Sequence, residues 1–111
     1  MDFEVSLVEH VDSYSVIAVR GEVDLHTAPK VQYAIGRGTN GVGAVVVDMG
    51  GITFMDSTAL SMFMRAKDFL KEQDISLRLA GPSDAVDRIF NVTGCGEYFD
   101  IYPSRMAAVS S

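Results

Sequence analysis

The chain has 111 residues, a length that suits one domain with a single buried core, so residues 1–111 are expected to form one domain. Its 15 acidic and 9 basic residues give a formal net charge of −6, and no cluster of Lys and Arg is present to grip a phosphate backbone, which argues against nucleic acid as a partner. No apolar run approaches the roughly 20 residues that span a bilayer, and the N-terminal stretch lacks the features of a signal peptide. These properties predict a soluble, cytoplasmic protein with no membrane partner.

The first half of the chain predicts two strands and a helix. Apolar and polar residues alternate over residues 2–7, and a second apolar run covers residues 14–21. The short polar residues between the two runs suit a turn, so the two strands are expected to be antiparallel. Helical spacing follows over residues 27–38, with Thr27 as the expected N-cap and two glycines closing the helix.

The second half alternates between strands and helices. The continuous β-branched run over residues 43–49 predicts a central strand that is covered on both faces, after which Gly50 and Gly51 are expected to turn the chain. The remaining predicted elements are a helix over 57–73, a strand over 75–81, a helix from the cap Ser83 to about Asn91, and a strand over 98–102. This order predicts an α/β fold, a mixed β-sheet with helices packed on one face, followed by a frayed helical turn at the C-terminus.

The single cysteine, Cys95, carries little functional information. It has no second cysteine with which to form an internal disulfide, and no Cys or His stands at metal-ligand spacing from it. We interpret it as a small residue in a turn, and we expect no metal and no other cofactor. The glycine-rich stretch GTNGVG is not followed by the Lys-Ser/Thr of a phosphate-binding loop and predicts only a turn.

Three separate stretches of the chain carry a family resemblance. GEVDLHTAP (21–29) is similar to a Gly-x-Leu-Asp-x-x-Thr-Ala stretch, VVVDMGGITFMDSTAL (45–60) to a strand followed by an Asp-Ser-[Ser/Thr]-Gly-Leu signature, and RIFNVTGCGEYFDIYPS (88–104) to a C-terminal helix, turn and strand. Together these stretches resemble the STAS domains and, within them, the stand-alone bacterial anti-sigma factor antagonists. The resemblance covers nearly the whole chain and implies the STAS fold.

The resemblance also implies a function by partner switching. In this family the unmodified antagonist binds an anti-sigma factor that is also a serine kinase, frees a sigma factor, and is switched off when the signature serine, here Ser57, is phosphorylated. The expected partners are therefore an anti-sigma factor serine kinase and a serine phosphatase, and the chain is expected to be a monomer or a weak dimer. The alternatives are a STAS scaffold or sensor subunit of another signalling or transport complex and, third, a small-ligand domain, for which the sequence indicates no polar pocket.

Ser57 itself permits two interpretations from the residues around it. Its hydroxyl can cap the helix by accepting a hydrogen bond from a free backbone N–H, or, if Asp56 is the cap, it can remain exposed to another protein's active site. A serine nucleophile would need an activating base and an orienting group, and the only histidines are His10 and His26, so catalysis by this chain is not expected. A kinase substrate has only to present a hydroxyl.

Residues around Ser57 are predicted to contact the partner. Asp24 matches an aspartate that lies beside the serine in the family, although it equally suits a simple loop residue. Ala59 stands where the family has glycine, and its methyl group is expected to loosen or retune docking. Met62 and Phe69 share a helix stripe that serves either internal packing or, if exposed, a switching interface. The predicted partner-binding set is Asp24, Asp56, Thr58, Ala59 and Met62.

Overall fold

The computed structural model describes residues 3–111, so the expected strand residue Asp2 lies outside the described residues. Within residues 3–111, no helix is both long and apolar enough to cross a membrane. The elements in chain order are β1 (Glu4–His10), β2 (Tyr14–Val23), α1 (Ala28–Arg37), β3 (Ala44–Met55), α2 (Ser57–Lys71), β4 (Ser76–Ala80), α3 (Asp84–Thr93), a 3₁₀ turn (Cys95–Tyr98), β5 (Asp100–Tyr102) and α4 (Arg105–Val109).

The strands form one mixed sheet in the order β1-β2-β3-β4-β5. β1 and β2 are antiparallel, whereas β2, β3, β4 and β5 are parallel to one another. Each parallel pair is joined by a crossover helix, as expected for parallel neighbours. The predicted mixed sheet and the predicted antiparallel first pair are both confirmed.

β3 is the central strand that its composition predicts. Val45, Val46 and Val47 are completely buried, and because successive side chains point to opposite faces, both faces of the sheet must be covered here. The strand pairs with β2 on one side and with β4 on the other. The continuous β-branched run therefore correctly indicated a strand buried on both faces.

The expected turn at Gly50 and Gly51 is wrong, because β3 continues through both glycines to Met55. The register with β2 shifts between Ala18 and Arg20, so that β3 contains a bulge at this point. A Cβ atom added at Gly51 would lie 3.1 Å from a backbone oxygen of β2 and 3.2 Å from the Arg20 side chain. The glycine therefore serves a close approach between strands and not a turn.

The two faces of the sheet are covered differently. The main core cluster lies on the face covered by α1, α2 and α3, as the sequence predicts. On the opposite face Ala108 of α4 packs on Val16, Val46 and Ala80. The C-terminal stretch is thus an ordered helix and not a frayed turn, since Arg78 donates a hydrogen bond of 2.8 Å to the Ala108 carbonyl.

β2 and β3 extend beyond β4 and bring two connecting segments together. β4 pairs only with residues 44–48 of β3, whereas the pairing of β2 with β3 continues to Val23 and Met55. Beyond that pair, the Asp56 N–H donates to the Val23 carbonyl at 3.3 Å. The β2–α1 turn and the start of α2 therefore lie side by side at the carboxyl edge of the sheet.

Candidate functional site

Asp56, and not Ser57, caps helix α2. Its backbone is extended, and its Oδ1 accepts a hydrogen bond of 2.9 Å from the Ala59 N–H, while its carbonyl accepts one of 3.1 Å from the Leu60 N–H. Ser57 is consequently the first helical residue, and its side chain is exposed. Within residues 3–111 the Ser57 hydroxyl makes no hydrogen bond. Of the two interpretations left open by the sequence, the structure supports an exposed hydroxyl beside a capping aspartate.

The neighbouring β2–α1 turn is held by a network of short hydrogen bonds. Asp24 Oδ1 accepts from the His26 N–H at 2.9 Å and from the Thr27 N–H at 3.1 Å. The buried Thr27 hydroxyl donates to the Glu22 carbonyl at 2.7 Å and accepts from the Asp24 N–H at 2.9 Å. Thr27 stands at the N-cap position of α1, but its side chain does not cap the helix. The predicted N-cap position is therefore confirmed, but the Thr27 hydroxyl closes the preceding turn and does not cap the helix.

The same network determines the acidity of Asp24. Burial alone would raise the pKa of its carboxyl group, but the hydrogen bonds from the His26 and Thr27 backbone and from the Thr27 hydroxyl favour the charged form and leave the pKa below its ordinary value. The half-buried Asp24 side chain is thus an anion with a structural role in the turn. Within the described residues its second oxygen, Oδ2, accepts no hydrogen bond, so one oxygen remains available to a donor from outside.

The edge that carries Ser57 brings together most of the residues predicted from the sequence. Asp24 and Asp56 follow adjacent ends of β2 and β3, and Ser57 and the half-buried Thr58 begin α2. Glu22 adds a third carboxylate near the end of β2. The geometry therefore presents one exposed hydroxyl on an acidic edge.

Two of the predicted contact residues are buried instead. Ala59 is 0% exposed and Met62 is 1% exposed, and both belong to the main core cluster. At about 100° per residue, Ala59 lies about 200° around the helix from Ser57, on the side that faces the sheet. The prediction that Ala59 and Met62 contact the partner directly is therefore wrong, whereas Phe69 on the same helix is 63% exposed.

Two apolar residues at this edge escaped the sequence analysis. Leu25, in the turn after β2, and Phe54, two residues before Asp56, are both exposed. Leu25 is an apolar residue inside a polar turn, and this contrast could have indicated from the sequence that its side chain is exposed. Phe54 gave no such signal, because the bulged register of β3 decides which way it points.

Comparison with known proteins identifies the family. A family model described as the STAS domain matches residues 6–108. An anti-sigma-B factor antagonist of Listeria monocytogenes is 33% identical over 102 residues, which cover 91% of this chain and 90% of that protein. The chain therefore belongs to the STAS domain family and, within it, to the anti-sigma factor antagonists. This finding confirms the resemblance seen in the sequence.

Solved structures give the same fold. An anti-sigma factor antagonist from Mycobacterium paratuberculosis is 27% identical with a TM-score of 0.81, over 96% of this chain and 92% of that chain. The murine anion transporter Slc26a9 gives a TM-score of 0.77 at 13% identity, over 92% of this chain but 18% of that chain, and this likeness shows the fold alone. Anti-sigma factor antagonists are non-enzymatic partner-switching proteins, which confirms the expectation that the chain is not an enzyme.

Proposed function

We propose that this protein, as a single cytoplasmic STAS domain, binds an anti-sigma factor serine kinase while Ser57 is unmodified, releases a sigma factor, and is inactivated when the kinase phosphorylates Ser57. A serine phosphatase restores the binding form, and the cycle regulates transcription in a stress response. The observation that carries the proposal is the exposed Ser57 hydroxyl, left free because Asp56 caps the helix. The kinase supplies ATP and metal ions, so an accessible hydroxyl is what its substrate must provide.

A phosphate on Ser57 is compatible with the fold of the free protein. It adds a charge of about −1.5 to −2 at the positive end of the α2 dipole, where an anion is stabilised. The Ser57 and Thr58 N–H groups belong to the first turn and make no bond within the described residues, unlike those of Ala59 and Leu60. Phosphorylation is therefore expected to leave the stability of the domain nearly unchanged.

The effect of the phosphate falls on the interface. The edge already carries the carboxylates of Asp24 and Asp56, and the unmodified Ser57 hydroxyl is a neutral group between helix and turn on that edge. A phosphate adds a charge of about −1.5 to −2, which repels acidic groups of the partner and requires costly desolvation when the complex closes. Binding is thus switched by a change in charge at the contact surface, without a change of fold.

The contact surface that we propose differs from the one predicted from the sequence. Asp24, Asp56 and Thr58 remain in it because they lie on the same edge of the sheet as Ser57. Leu25 and Phe54 join it as exposed apolar anchors on the same edge.

The first experiment maps the modification. The purified protein is incubated with Mg-ATP and, one at a time, with the anti-sigma factor serine kinases encoded in its source genome, and phosphopeptides are identified by mass spectrometry. We expect a single phosphate on Ser57 and none in the Ser57→Ala variant. Ser61 is also exposed, one turn further along α2, so Ser61→Ala is the matched control and should be modified normally. A phosphate found solely on Thr58 or elsewhere contradicts the proposal.

The second experiment measures kinase binding by calorimetric titration. Ser57→Ala should bind as the unmodified protein does, whereas Ser57→Asp should bind at least about tenfold more weakly, since like charges at an interface cost more than the 1.4 kcal/mol of a tenfold change. Ser61→Asp is the control for added charge on the same helix. Melting temperatures of all variants should be alike. If Ser57→Asp unfolds the domain, the charge acts on the fold and not on the interface.

A further inference from the structure

The sheet has one long open edge, which is formed by β1. Within residues 3–111 this strand pairs only with β2, so the backbone groups on its other side meet no further strand. It is seven residues long, whereas β5 at the opposite edge has three. The register with β2 is regular over residues 4–7 and shifts between Leu7 and Glu9, so residues 4–7 are the straight part of the edge. Such an edge is a template to which an extended peptide can add as a further strand.

A groove lies between this edge and helix α1. Its volume is about 520 Å³, and we call it the β1–α1 groove. Val5 packs against the main core cluster, and Leu7, two residues later, points to the same face of the sheet. Leu7 is 40% exposed, Tyr33 of α1 is 66% exposed, and both line the groove. Glu4 points to the opposite face of the sheet, where it forms an ion pair of 2.7 Å with Arg20.

The α1 side of the groove is positively charged, although the protein as a whole is acidic. Lys30 and Arg37 line it, and among the residues that the structure describes no Asp or Glu does. Lys30 Nζ lies 5.9 Å from the ring centroid of Phe3, and Arg37 Cζ lies 5.8 Å from that of Tyr33. Neither cation forms an ion pair within residues 3–111. Two cations without a carboxylate partner, in a chain with a net charge of −6, favour an acidic ligand.

The spacing of the two cations defines the ligand that fits. Lys30 and Arg37 are seven residues apart, so they lie on the same side of α1, about 10.5 Å apart along its axis, with Tyr33 between them. On one face of a strand, residues i and i+4 are about 13 Å apart and i+2 lies between them. The long Lys30 and Arg37 side chains can cover the difference of about 3 Å. The groove therefore fits two acidic side chains four residues apart, with an apolar side chain midway that packs between Leu7 and Tyr33.

We propose that the β1–α1 groove binds an extended acidic peptide of a partner protein, which pairs with residues 4–7 as a sixth strand and has the pattern acidic–x–apolar–x–acidic. Backbone pairing supplies affinity, and ion pairs with Lys30 and Arg37 supply selectivity. A second copy of this chain paired through β1 would instead bring its own Lys30 and Arg37 to the same face of the sheet, where like charges repel. None of these residues belongs to the contact surface proposed around Ser57.

Titration of the full chain with a synthetic peptide tests the charge pattern. The probe is the end-capped peptide TETITET, and binding is followed by nuclear magnetic resonance of ¹⁵N-labelled protein. The probe should shift the amide resonances of residues 4–7 and 30–37, and Lys30→Glu or Arg37→Glu should raise its Kd at least about tenfold. Lys71→Glu is the matched control, because this exposed lysine ends α2 and its reversal changes the net charge equally. A wild type that does not bind TETITET overturns the proposal, as do equal losses in Arg37→Glu and Lys71→Glu.

A pair of aromatic substitutions tests the apolar part of the groove. Tyr33→Ser should also weaken binding of TETITET, because it removes the ring against which the central isoleucine packs. Phe69→Ser is the matched control, since it removes an equally exposed aromatic ring from α2 and should leave the Kd unchanged. Far-UV circular dichroism of each variant verifies that it is folded. Equal Kd values for the two variants overturn the proposed position of the apolar side chain.

Methylation of the peptide's backbone nitrogens tests strand addition. In an added strand alternate N–H groups point to β1, so methylation of one alternate set should abolish binding and methylation of the other should not. Equal effects of the two sets overturn the strand pairing. Shifts at residues 4–7 that appear on raising the protein concentration without peptide would identify a second copy as the occupant and overturn the proposal as well. These experiments use no kinase, so their outcome is independent of the function proposed for Ser57.

Discussion

The first turn of α2 has two sides with opposite properties. Ser57 is exposed at the acidic edge, whereas Ala59, two positions later, is completely buried against the sheet. Both are small residues in the same signature stretch, and they differ in the direction in which their side chains point from the helix axis. Along this stretch, adjacency in sequence to Ser57 therefore does not place a residue on the exposed edge.

The two sides are held by different interactions. The exposed side depends on hydrogen bonds, with Asp56 capping α2 and Asp24 closing the neighbouring turn. The buried side depends on close packing, with Met62 and Phe63 almost fully inside the core. Substitutions on the buried side should therefore change stability, and substitutions on the exposed side should change recognition. Substitutions at Met62, Ala59, Asp56 and Asp24 test that separation.

Met62→Ala should reduce the free energy of unfolding by about 2–5 kcal/mol, because it removes a buried side chain and leaves a cavity. Phe69→Ala is the matched control on the same helix, and it should change the stability by less than about 0.5 kcal/mol because Phe69 is mostly exposed. Urea denaturation of the two variants measures both values. Equal losses for the two variants would show that burial does not separate these positions.

Ala59→Gly should reduce the free energy of unfolding by about 1.6–1.8 kcal/mol. Of this, about 0.8–1.0 kcal/mol comes from the poorer helix propensity of glycine, and about 0.8 kcal/mol from the loss of a buried methyl group. The affinity for the kinase should not change, since the methyl group faces the core. Thermal denaturation and calorimetric titration of the same preparations measure the two quantities. A gain in affinity with the glycine variant would restore the view that this methyl obstructs docking.

Asp56→Ala should cost about 1 kcal/mol, the usual effect of removing a helix N-cap. Asp56→Asn is the control for charge, because asparagine caps as well as aspartate does and should preserve the stability. If kinase binding needs the negative charge of Asp56, Asp56→Asn will keep the stability of the wild type and lose affinity for the kinase, whereas Asp56→Ala will lose both. Chemical denaturation gives the stability difference, and a full loss of stability in the asparagine variant would argue against capping as the role of Asp56.

Asp24 contributes a small pH dependence to the stability of the fold. Its pKa is lowered in the folded protein, so the carboxylate stabilises the fold above the unfolded pKa, and this contribution is lost as the pH falls through the lowered value. Asp24→Asn should therefore make the melting temperature less sensitive to acid below about pH 4.

Nuclear magnetic resonance titration should show the Asp24 pKa rising in Thr27→Val but not in Thr27→Ser, which keeps the hydroxyl. An unchanged Asp24 pKa in Thr27→Val would show that the Thr27 hydroxyl does not lower it.

Features that depend on neighbouring residues could be predicted from the sequence. Alternating and helical spacing predicted the five strands, the three long helices and their order, and the Asp-Ser pair reduced the cap of α2 to two candidates. Such signals are local because hydrogen bonding and side-chain periodicity act within a few residues of the chain. The three signature stretches were also sufficient on their own to indicate the family.

Which surfaces are covered depends on contacts between distant segments of the folded chain. The packing of α4 on Val46 joins segments about sixty residues apart, and the bulge at Gly51 exists only because β2 lies against it. Likewise, Met62 is buried and Phe69 is exposed because the sheet and α1 occupy one side of α2. Burial depends on elements brought together from distant parts of the chain, and helical periodicity alone leaves open how wide the buried stripe will be.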